Sequence, residues 1–547
     1  MSSAPPPAKD TFTILFDGKP VEVPKGINLI QAAERAGIEI PHFCYHPSLS
    51  VVGQCRMCLV EIEGMPKIQA ACTVPLKDGL AVKTTTEKVR QSRAATMEFL
   101  LINHPLDCPI CDQAGECKLQ DNSFGYGDQH SDFDERKRQY PGFDRTPIGP
   151  HVIADMTRCI QCTRCIRFCQ EIAETGELTF LDRSGRTLVW THDGKPLAND
   201  WSACAADVCP VGALTVKEFR FRKRVWYLDK TRSVCPGCNI GCNISIESKD
   251  FTVYRFLPRL NPDINDYWLC DYGRFLSEGL NVHEIEKAAT REDGKVASPI
   301  VPLAIQRLAA EIRKTIDGVG PKGLFFLGSA TLSNEENFLL RKLADHLGCP
   351  NRDVVVDKSR VRRMKSKKGW VEGDHAAANY QGARDMGLFP GAGGYGLAQV
   401  LSGAAKPEVI VVGDGVFSAA AEDAAQVAIL RKARVLAVAS RTANALARAA
   451  DILLPAASLA EKEGTFTNVQ GRVQAFWRAF LPRPPIRSHF ELILLLACEL
   501  GWGERAWTPA EVRERIRAEV PTWASVTEES LRGGPLLKKG DFLVRGA

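Results

Sequence analysis

The chain has 547 residues, 45% of them apolar and 25% charged, with a formal net charge of +5. That length exceeds what one hydrophobic core supports, so several soluble domains are expected. No Lys/Arg block is long enough for a nucleic-acid arm, and the longest apolar runs, such as LILLLAC from Leu492, fall far short of a membrane span.

The first ten residues, MSSAPPPAKD, predict a disordered tail. TFTILFDGKPVEV then sets two alternating apolar runs around Asp17-Gly18, the pattern of a hairpin. Asn28 caps LIQAAERAG, a helix that stops at Gly37. Cysteine is the unusual residue: of 19, all but Cys349 and Cys498 precede residue 285, and many stand in C-x2-C pairs. Adjacent C-x2-C pairs suit one metal centre better than cross-linking, although disulfides are the alternative.

Cys44, Cys55, Cys58 and Cys72 follow the first helix as C-x10-C-x2-C-x13-C. A hairpin, a helix and a cysteine loop resemble the β-grasp ferredoxin that carries a [2Fe–2S] cluster, though the first gap departs from the plant-type C-x4-C-x2-C. With GQCRMC and Gly53 beside the ligands, the long gap resembles the first domain of respiratory NADH dehydrogenase and of some hydrogenase subunits. By spacing alone, four thiolates serve zinc as well.

Next, Thr84 and Glu87 are expected to form a capping box opening a helix, VRQSRAATMEFLLIN, which ends at His104-Pro105. Beyond it, His104, Cys108, Cys111 and Cys117 read as H-x3-C-x2-C-x5-C, a [4Fe–4S] site with three thiolates and one imidazole. A neutral imidazole in place of a thiolate removes negative charge and raises the potential, the logic of Rieske centres.

CIQCTRCIRFC offers Cys159, Cys162, Cys165 and Cys169. A ferredoxin-type [4Fe–4S] site takes C-x2-C-x2-C plus a remote cysteine commonly followed by proline. Gln170 follows Cys169, whereas Pro210 follows Cys209. The quartet is therefore Cys159, Cys162, Cys165 and Cys209, which leaves Cys169 and Cys204 as buried thiols outside it. A fourth set, Cys235, Cys238, Cys242 and Cys270, is spaced C-x2-C-x3-C-x27-C and resembles the N-terminal [4Fe–4S] domain of molybdopterin oxidoreductases. Gly237 and Gly241 there free the backbone to approach cluster sulfur.

The order of these four sites resembles the large iron–sulfur subunit, the G type, of NADH:quinone oxidoreductase, respiratory complex I. That resemblance implies electrons arriving from a flavin-bearing, NADH-oxidising subunit and leaving toward quinone in the membrane arm. It places the chain in a peripheral arm at the cytoplasmic face of the bacterial inner membrane, with one [2Fe–2S] and three [4Fe–4S] clusters and the fourth site off the main route. No catalytic residue and no independent substrate site are expected on this chain. The rivals are an electron-carrying subunit of an NAD-linked hydrogenase, a formate-dehydrogenase-like molybdoenzyme, and a zinc-stapled scaffold.

The second half alternates apolar strands, GLFFLGSA, RDVVVD, PEVIVVGD, ARVLAVAS and ADILLPAA, with helices such as SNEENFLLRKLADHLG, opened by a Ser333/Glu336 capping box. NYQGARDMGLFPG and ADILLPAASLAEKEGTFTNVQGRVQ resemble the molybdopterin-oxidoreductase fold. Cys349 and Cys498 sit in apolar helical contexts that favour burial, and Tyr272 stands where such enzymes place a lysine between cluster and pterin. The domain is thus expected to be a truncated scaffold without molybdenum. Gly391, Gly393 and Gly396 satisfy G-x-G-x-x-G, with Asp414 about 20 positions on, but they follow Pro390 rather than a strand and read as a loop, so no NADH site is expected. RVRRMKSKKG, Arg360 to Gly369, reads as a solvated surface loop. The domain expectation is a tail over 1–10, a [2Fe–2S] β-grasp domain over 11–85, the histidine-bearing [4Fe–4S] domain over 86–135, the ferredoxin-type domain over 136–227, the molybdopterin-type [4Fe–4S] domain over 228–284, and the α/β domain over 285–547. The fold class is accordingly α+β modules followed by α/β.

Overall fold

The alternation around Asp17-Gly18 folds as expected. Strands β1 (Thr11–Phe16) and β2 (Lys19–Pro24) pair antiparallel across that two-residue turn, with Asp17 at φ 46° and Gly18 at φ 83°, the doubly left-handed geometry that matches strand twist. The computed structural model describes residues 10–128, 133–292, 294–355, 362–413, 423–502 and 507–531. The chain divides into two compact units, with the boundary between Leu228 and Asp229.

In the first unit, α1 (Leu29–Arg35) carries the expected cap, Asn28 and Gln31 bonding each other's backbone N–H, and buries Leu29, Ile30, Ala32 and Ala33. Strands β3 (Leu59–Ile62), β4 (Gln69–Ala70) and β5 (Ala81–Lys83) complete a sheet ordered β2-β1-β5-β3-β4. Helix α2 (Glu87–Leu101) is capped by Thr86, whose hydroxyl accepts from the Val89 N–H at 3.3 Å. The expected Thr84/Glu87 box does not form, because Thr84 is held by the Asp17 carboxylate, which accepts from its N–H at 2.7 Å and its hydroxyl at 2.6 Å. A tertiary bond to the hairpin turn outcompetes the local cap.

Helix α3 (Lys118–Tyr126) packs on α2. There follow β6 (Thr146–Pro147), β7 (Val152–Ala154), α4 (Arg164–Glu171), the hairpin β8 (Leu178–Leu181) and β9 (Leu188–Thr191), the short α5 (Cys204–Asp207) and β10 (Leu214–Val216). β10, β7 and β6 form one antiparallel sheet, and α4 packs on α5.

The second unit opens with a meander, β11 (Asp229–Val234), β12 (Asn243–Lys249) and β13 (Thr252–Pro258), on which α6 (Asp271–Gly279) packs. Then come the hairpin β14 (Ala289–Glu292) and β15 (Lys295–Ala297), α7 (Val301–Val319), β16 (Leu324–Ser329), α8 (Asn334–His346), β17 (Arg352–Val355), the hairpin β18 (Arg362–Ser366) and β19 (Gly369–Gly373), α9 (Tyr380–Asp385), α10 (Leu397–Leu401), β20 (Val409–Gly413), α11 (Ala424–Leu430), β21 (Val435–Ser440), α12 (Ala445–Ala449), β22 (Ile452–Pro455), the hairpin β23 (Gly464–Thr467) and β24 (Val473–Phe476), α13 (His489–Glu499) and α14 (Pro509–Glu519). The five strands read from sequence are parallel and, with β14 and β15 at one edge, make a sheet ordered β15-β14-β22-β21-β20-β16-β17. Taken in chain order, the parallel strands lie 2-1-3-4-5, a doubly wound arrangement. β16 reads as an unbroken apolar run because both its faces are covered. Phe326 joins the core with Leu308 and Leu343, while Phe325 and Leu327 join the core with Leu430 and Leu446. The Ser333/Glu336 box opens α8 as expected.

Three readings are corrected. Residues 362–366 of the basic run are not a loop but β18; Met364 and Ser366 turn inward while Arg363 and Lys365 lie over the Trp370 ring, a period-two pattern masked by charge. Cys498 is exposed, since it falls on the outer face of α13. Cys349 is buried but lies beyond the end of α8 rather than in a helix. Gly391 to Gly396 form a loop, pinned where the Gly391 N–H donates to the Pro350 carbonyl at 2.8 Å, and Asp414 lies outside the described residues.

Candidate metal centres

In the first site Cys44, Cys58 and Cys72 are buried and Cys55 is half-buried, on loops between α1 and β5. The four thiols stand in two hydrogen-bonded pairs, Cys44 with Cys55 and Cys58 with Cys72. Each pair splits its acidities: Cys55 is lowered to about 5 by its bonds to Cys44 and to backbone N–H groups, while Cys44 is pushed up. Two pairs of thiols fit a two-iron cluster, which takes two thiolates at each iron. The Phe43 N–H points at the Cys55 Sγ at 3.4 Å, a donor suited to a thiolate.

In the second site Cys111 and Cys117 are buried, Cys108 is exposed, and each of the three lies within electrostatic reach of the others. Burial pushes Cys117 up to about 12. His104 follows α2, and burial together with the charges of Arg158 and Lys137 lowers its imidazole to about 4, which keeps it neutral and able to ligate. Arg158, 1% exposed, pairs with Asp107 at 2.9 Å and Asp155 at 3.4 Å and also favours the Cys111 thiolate. A Cβ on Gly212 would stand 2.3 Å from the Cys111 Sγ, so the backbone beyond Cys209 lies directly on this thiol.

Cys159, Cys162, Cys165 and Cys209 all line one cavity, walled by Ile160, Val189, Val211 and Leu214. Cys169 and Cys204, both fully buried, do not line it. Within this apolar shell burial pushes Cys159 up to about 12 and Cys162 up to about 11. The Arg164 and Arg167 charges favour the Cys162 thiolate against that burial, and a bound metal deprotonates such thiols outright, so the pocket suits metal ligation.

Cys235, Cys238, Cys242 and Cys270 are all buried and mutually coupled by charge. Gly237 and Ile240 supply N–H groups to the sulfurs of Cys235 and Cys238, and Gly273 donates to Cys270 at 3.4 Å. A Cβ on Gly273 would stand 2.8 Å from the Cys235 Sγ and 3.4 Å from that of Cys270, so only glycine leaves the cradle open. The loop is braced from far along the chain: Asn468 donates to the Ile240 carbonyl at 3.0 Å, Gln474 to that of Gly241 at 2.9 Å, and Asn239 to the Asp374 carboxylate at 2.6 Å. Arg362 lies over the Tyr272 ring at 3.9 Å, and its charge favours the thiolates of Cys235 and Cys238. Sequence reasoning missed Arg158, Gly212 and Gly273 and read Arg362 only as part of a basic surface run; Arg158, immediately before Cys159, carried the one local signal.

Among the described residues, no three His, Cys, Asp or Glu side chains converge as one metal ion would require. In a four-iron cluster each thiolate binds a different iron, so the ligands need not meet at a point.

Known protein families match successive stretches of the chain. Family descriptions match in chain order: a 2Fe-2S iron-sulfur cluster binding domain over 9–87, the NADH-ubiquinone oxidoreductase-G iron-sulfur binding region over 93–132, an NADH-quinone oxidoreductase subunit 3 ferredoxin-like domain over 149–215, an NDSU1/NuoG-like 4Fe-4S domain over 228–278, and molybdopterin oxidoreductase over 364–497. The chain is 41% identical over 341 residues to the G-type NADH-quinone oxidoreductase subunit of Rickettsia bellii, covering 62% of this chain and 49% of that one. The chain is a homologue of the G-type subunit. It is also 40% identical over 347 residues to the mitochondrial NADH dehydrogenase [ubiquinone] iron-sulfur protein 1 of Solanum tuberosum, covering 63% of this chain and 46% of that one. It spans about half the length of these G-type relatives. A solved NAD+-reducing [NiFe]-hydrogenase aligns over 39% of this chain and 91% of its own at 32% identity, with a TM-score of 0.35. No helix among the described residues is long and apolar enough to cross a membrane.

Proposed function

We propose that this chain is an electron-transfer subunit of the peripheral arm of NADH:quinone oxidoreductase, at the cytoplasmic face of the bacterial inner membrane. It takes electrons from a flavin-bearing, NADH-oxidising partner and passes them toward quinone. Cys44, Cys55, Cys58 and Cys72 hold a [2Fe–2S] cluster. Three [4Fe–4S] clusters are held by His104, Cys108, Cys111 and Cys117; by Cys159, Cys162, Cys165 and Cys209; and by Cys235, Cys238, Cys242 and Cys270. When bound, each cluster supplies one-electron storage.

The observation that carries this reading is that the first three donor sets are stitched together in a spatial order that differs from their chain order. Arg167 bonds the carbonyls of both Cys44 and Cys162, which joins the first site to the third. The Lys118 N–H, next to Cys117, donates to the Pro210 carbonyl, next to Cys209, at 3.1 Å, which joins the third to the second. These contacts support a relay of first, third and second sites, and most of its thiols are buried, with Cys108 at the surface and Cys55 and Cys159 half-buried. The α/β domain is read as a scaffold without molybdenum. In support, the Cys349 thiol faces the Leu324 carbonyl at 3.3 Å and Cys498 lies on the surface.

Anaerobically purified chain is expected to be brown, with about 14 iron atoms and matching labile sulfide, for one two-iron and three four-iron centres. Colourless protein containing zinc would overturn the reading, and molybdenum with unaided formate oxidation would favour a molybdoenzyme. Copurification with a flavin-bearing NADH-oxidising subunit tests the partner.

A further inference from the structure

The contact between the first and third sites is built from side chains that the cysteine motifs leave unexplained. On α4, Arg167 donates from one guanidinium nitrogen to the Cys44 carbonyl at 2.6 Å and to the Cys162 carbonyl at 3.4 Å, so one group bridges a candidate ligand of each site. Its other terminal nitrogen donates to the Ser50 carbonyl, and its Nε to the Thr163 hydroxyl at 3.2 Å. One turn earlier, Arg164 donates to the Tyr45 carbonyl, next to Cys44, while its own backbone lies between Cys162 and Cys165. Both are buried, at 1% exposure for Arg164 and 5% for Arg167.

The surrounding bonds make a continuous seam. Gln54, beside Cys55, donates to the Gln161 carbonyl at 2.9 Å, and the Glu171 carboxylate accepts from the Ser50 N–H at 2.8 Å and its hydroxyl at 2.5 Å. A planar guanidinium reaches carbonyls of two loops at once, which a lysine ammonium on one stem does less rigidly. Burying two guanidinium groups is costly unless negative charge lies close by. Here the Arg164 backbone stands between Cys162 and Cys165 of one set while its guanidinium reaches the loop of Cys44 in the other, so its charge lies among candidate thiolates of both.

We propose that Arg164 is the shared countercharge of the first and third sites, and that Arg167 is the strut fixing the separation between them. Both are positioning residues, and the proposal rests on reading the two cysteine sets as redox centres. In the step they serve, the reduced first centre loses the one electron the oxidised third centre gains, and no bond or proton changes place. A buried cation between thiolate-ligated centres stabilises the reduced, more negative state of each, so its loss lowers both potentials.

The test is a potentiometric titration of the full chain, purified anaerobically and followed by electron paramagnetic resonance. Arg164→Gln is expected to lower the midpoint potentials of the two-iron centre and the ferredoxin-type centre together, leaving the His104 and Cys235 sites unmoved, and Arg164→Lys to restore both in large part. Arg167→Lys, which keeps the charge and loses the planar fork, is expected to hold the potentials but weaken the magnetic interaction between the two reduced centres. No shift in Arg164→Gln, a shift in one centre alone, or an equal shift in all four would overturn the countercharge. If Arg164→Gln fails to retain iron, Arg164→Lys decides: iron retained at parental potentials supports the proposal, and iron lost or potentials lowered overturns it. An unsubstituted chain with no two-iron signal sinks the functional reading itself, a result distinct from any of these.

Discussion

The third and fourth cysteine sets both open with C-x2-C, yet they are held in different ways. The third lies among other cysteine loops: its helix donates arginine N–H groups to the first site, and its Cys209 loop presses on Cys111 of the second. The fourth is gripped by the α/β domain of its own unit, through Asn468 and Gln474 more than 200 positions further along the chain. The first arrangement places donor sets side by side, as a relay needs. The second braces one loop from a large domain, part of which matches molybdopterin oxidoreductase over 364–497.

The sharpest break of that comparison removes space rather than a ligand. Gly212→Ala would drive a methyl group to 2.3 Å from the Cys111 Sγ, and Gly273→Ala another to 2.8 Å from that of Cys235. Each is expected to abolish one four-iron signal, the second site's in the former and the fourth's in the latter, with the remaining signals intact in electron paramagnetic spectra. Loss of all signals in either would mean that the units do not support their sites separately.

Ligand substitution sharpens the third site. Cys209→Ser is expected to remove one four-iron signal, while Cys169→Ser and Cys204→Ser keep all of them, because only Cys209 shares the cavity with Cys159, Cys162 and Cys165. Asn468→Ala should act more weakly, leaving the buried Ile240 carbonyl short of a donor at a cost of about 1–3 kcal/mol. It is expected to make the fourth centre labile to chelator without affecting the other three, and iron release over time measures it. Arg362→Gln should be milder still, lowering the midpoint potential of the fourth centre alone. Smallest is Asn28→Ala, a lost helix cap worth about 1 kcal/mol, read as a lower unfolding midpoint in denaturant with cluster content unchanged.

Much of this was legible residue by residue. Asp17-Gly18 marked the first turn, Asn28 and Ser333 marked helix starts, and the run FFL marked β16 as a strand. Thr84 misled, because its competing partner Asp17 lies 67 positions away. Arg362 to Ser366 misled because basic residues on the outer face of β18 hid the inward Met364.

From the sequence alone came the four proposed donor sets, most of the local caps and the α+β to α/β order: the C-x2-C pairs and caps lie within a turn or two, where spacing and side-chain type suffice, and the remote Cys209 was marked by the proline after it. Tertiary structure alone decided that the first site adjoins the third, that Arg164 and Arg167 fill the seam between them, and that Asn468 and Gln474 brace the fourth. Those contacts join backbone and side chains brought together by packing over 100 to more than 200 positions, and no local periodicity records them.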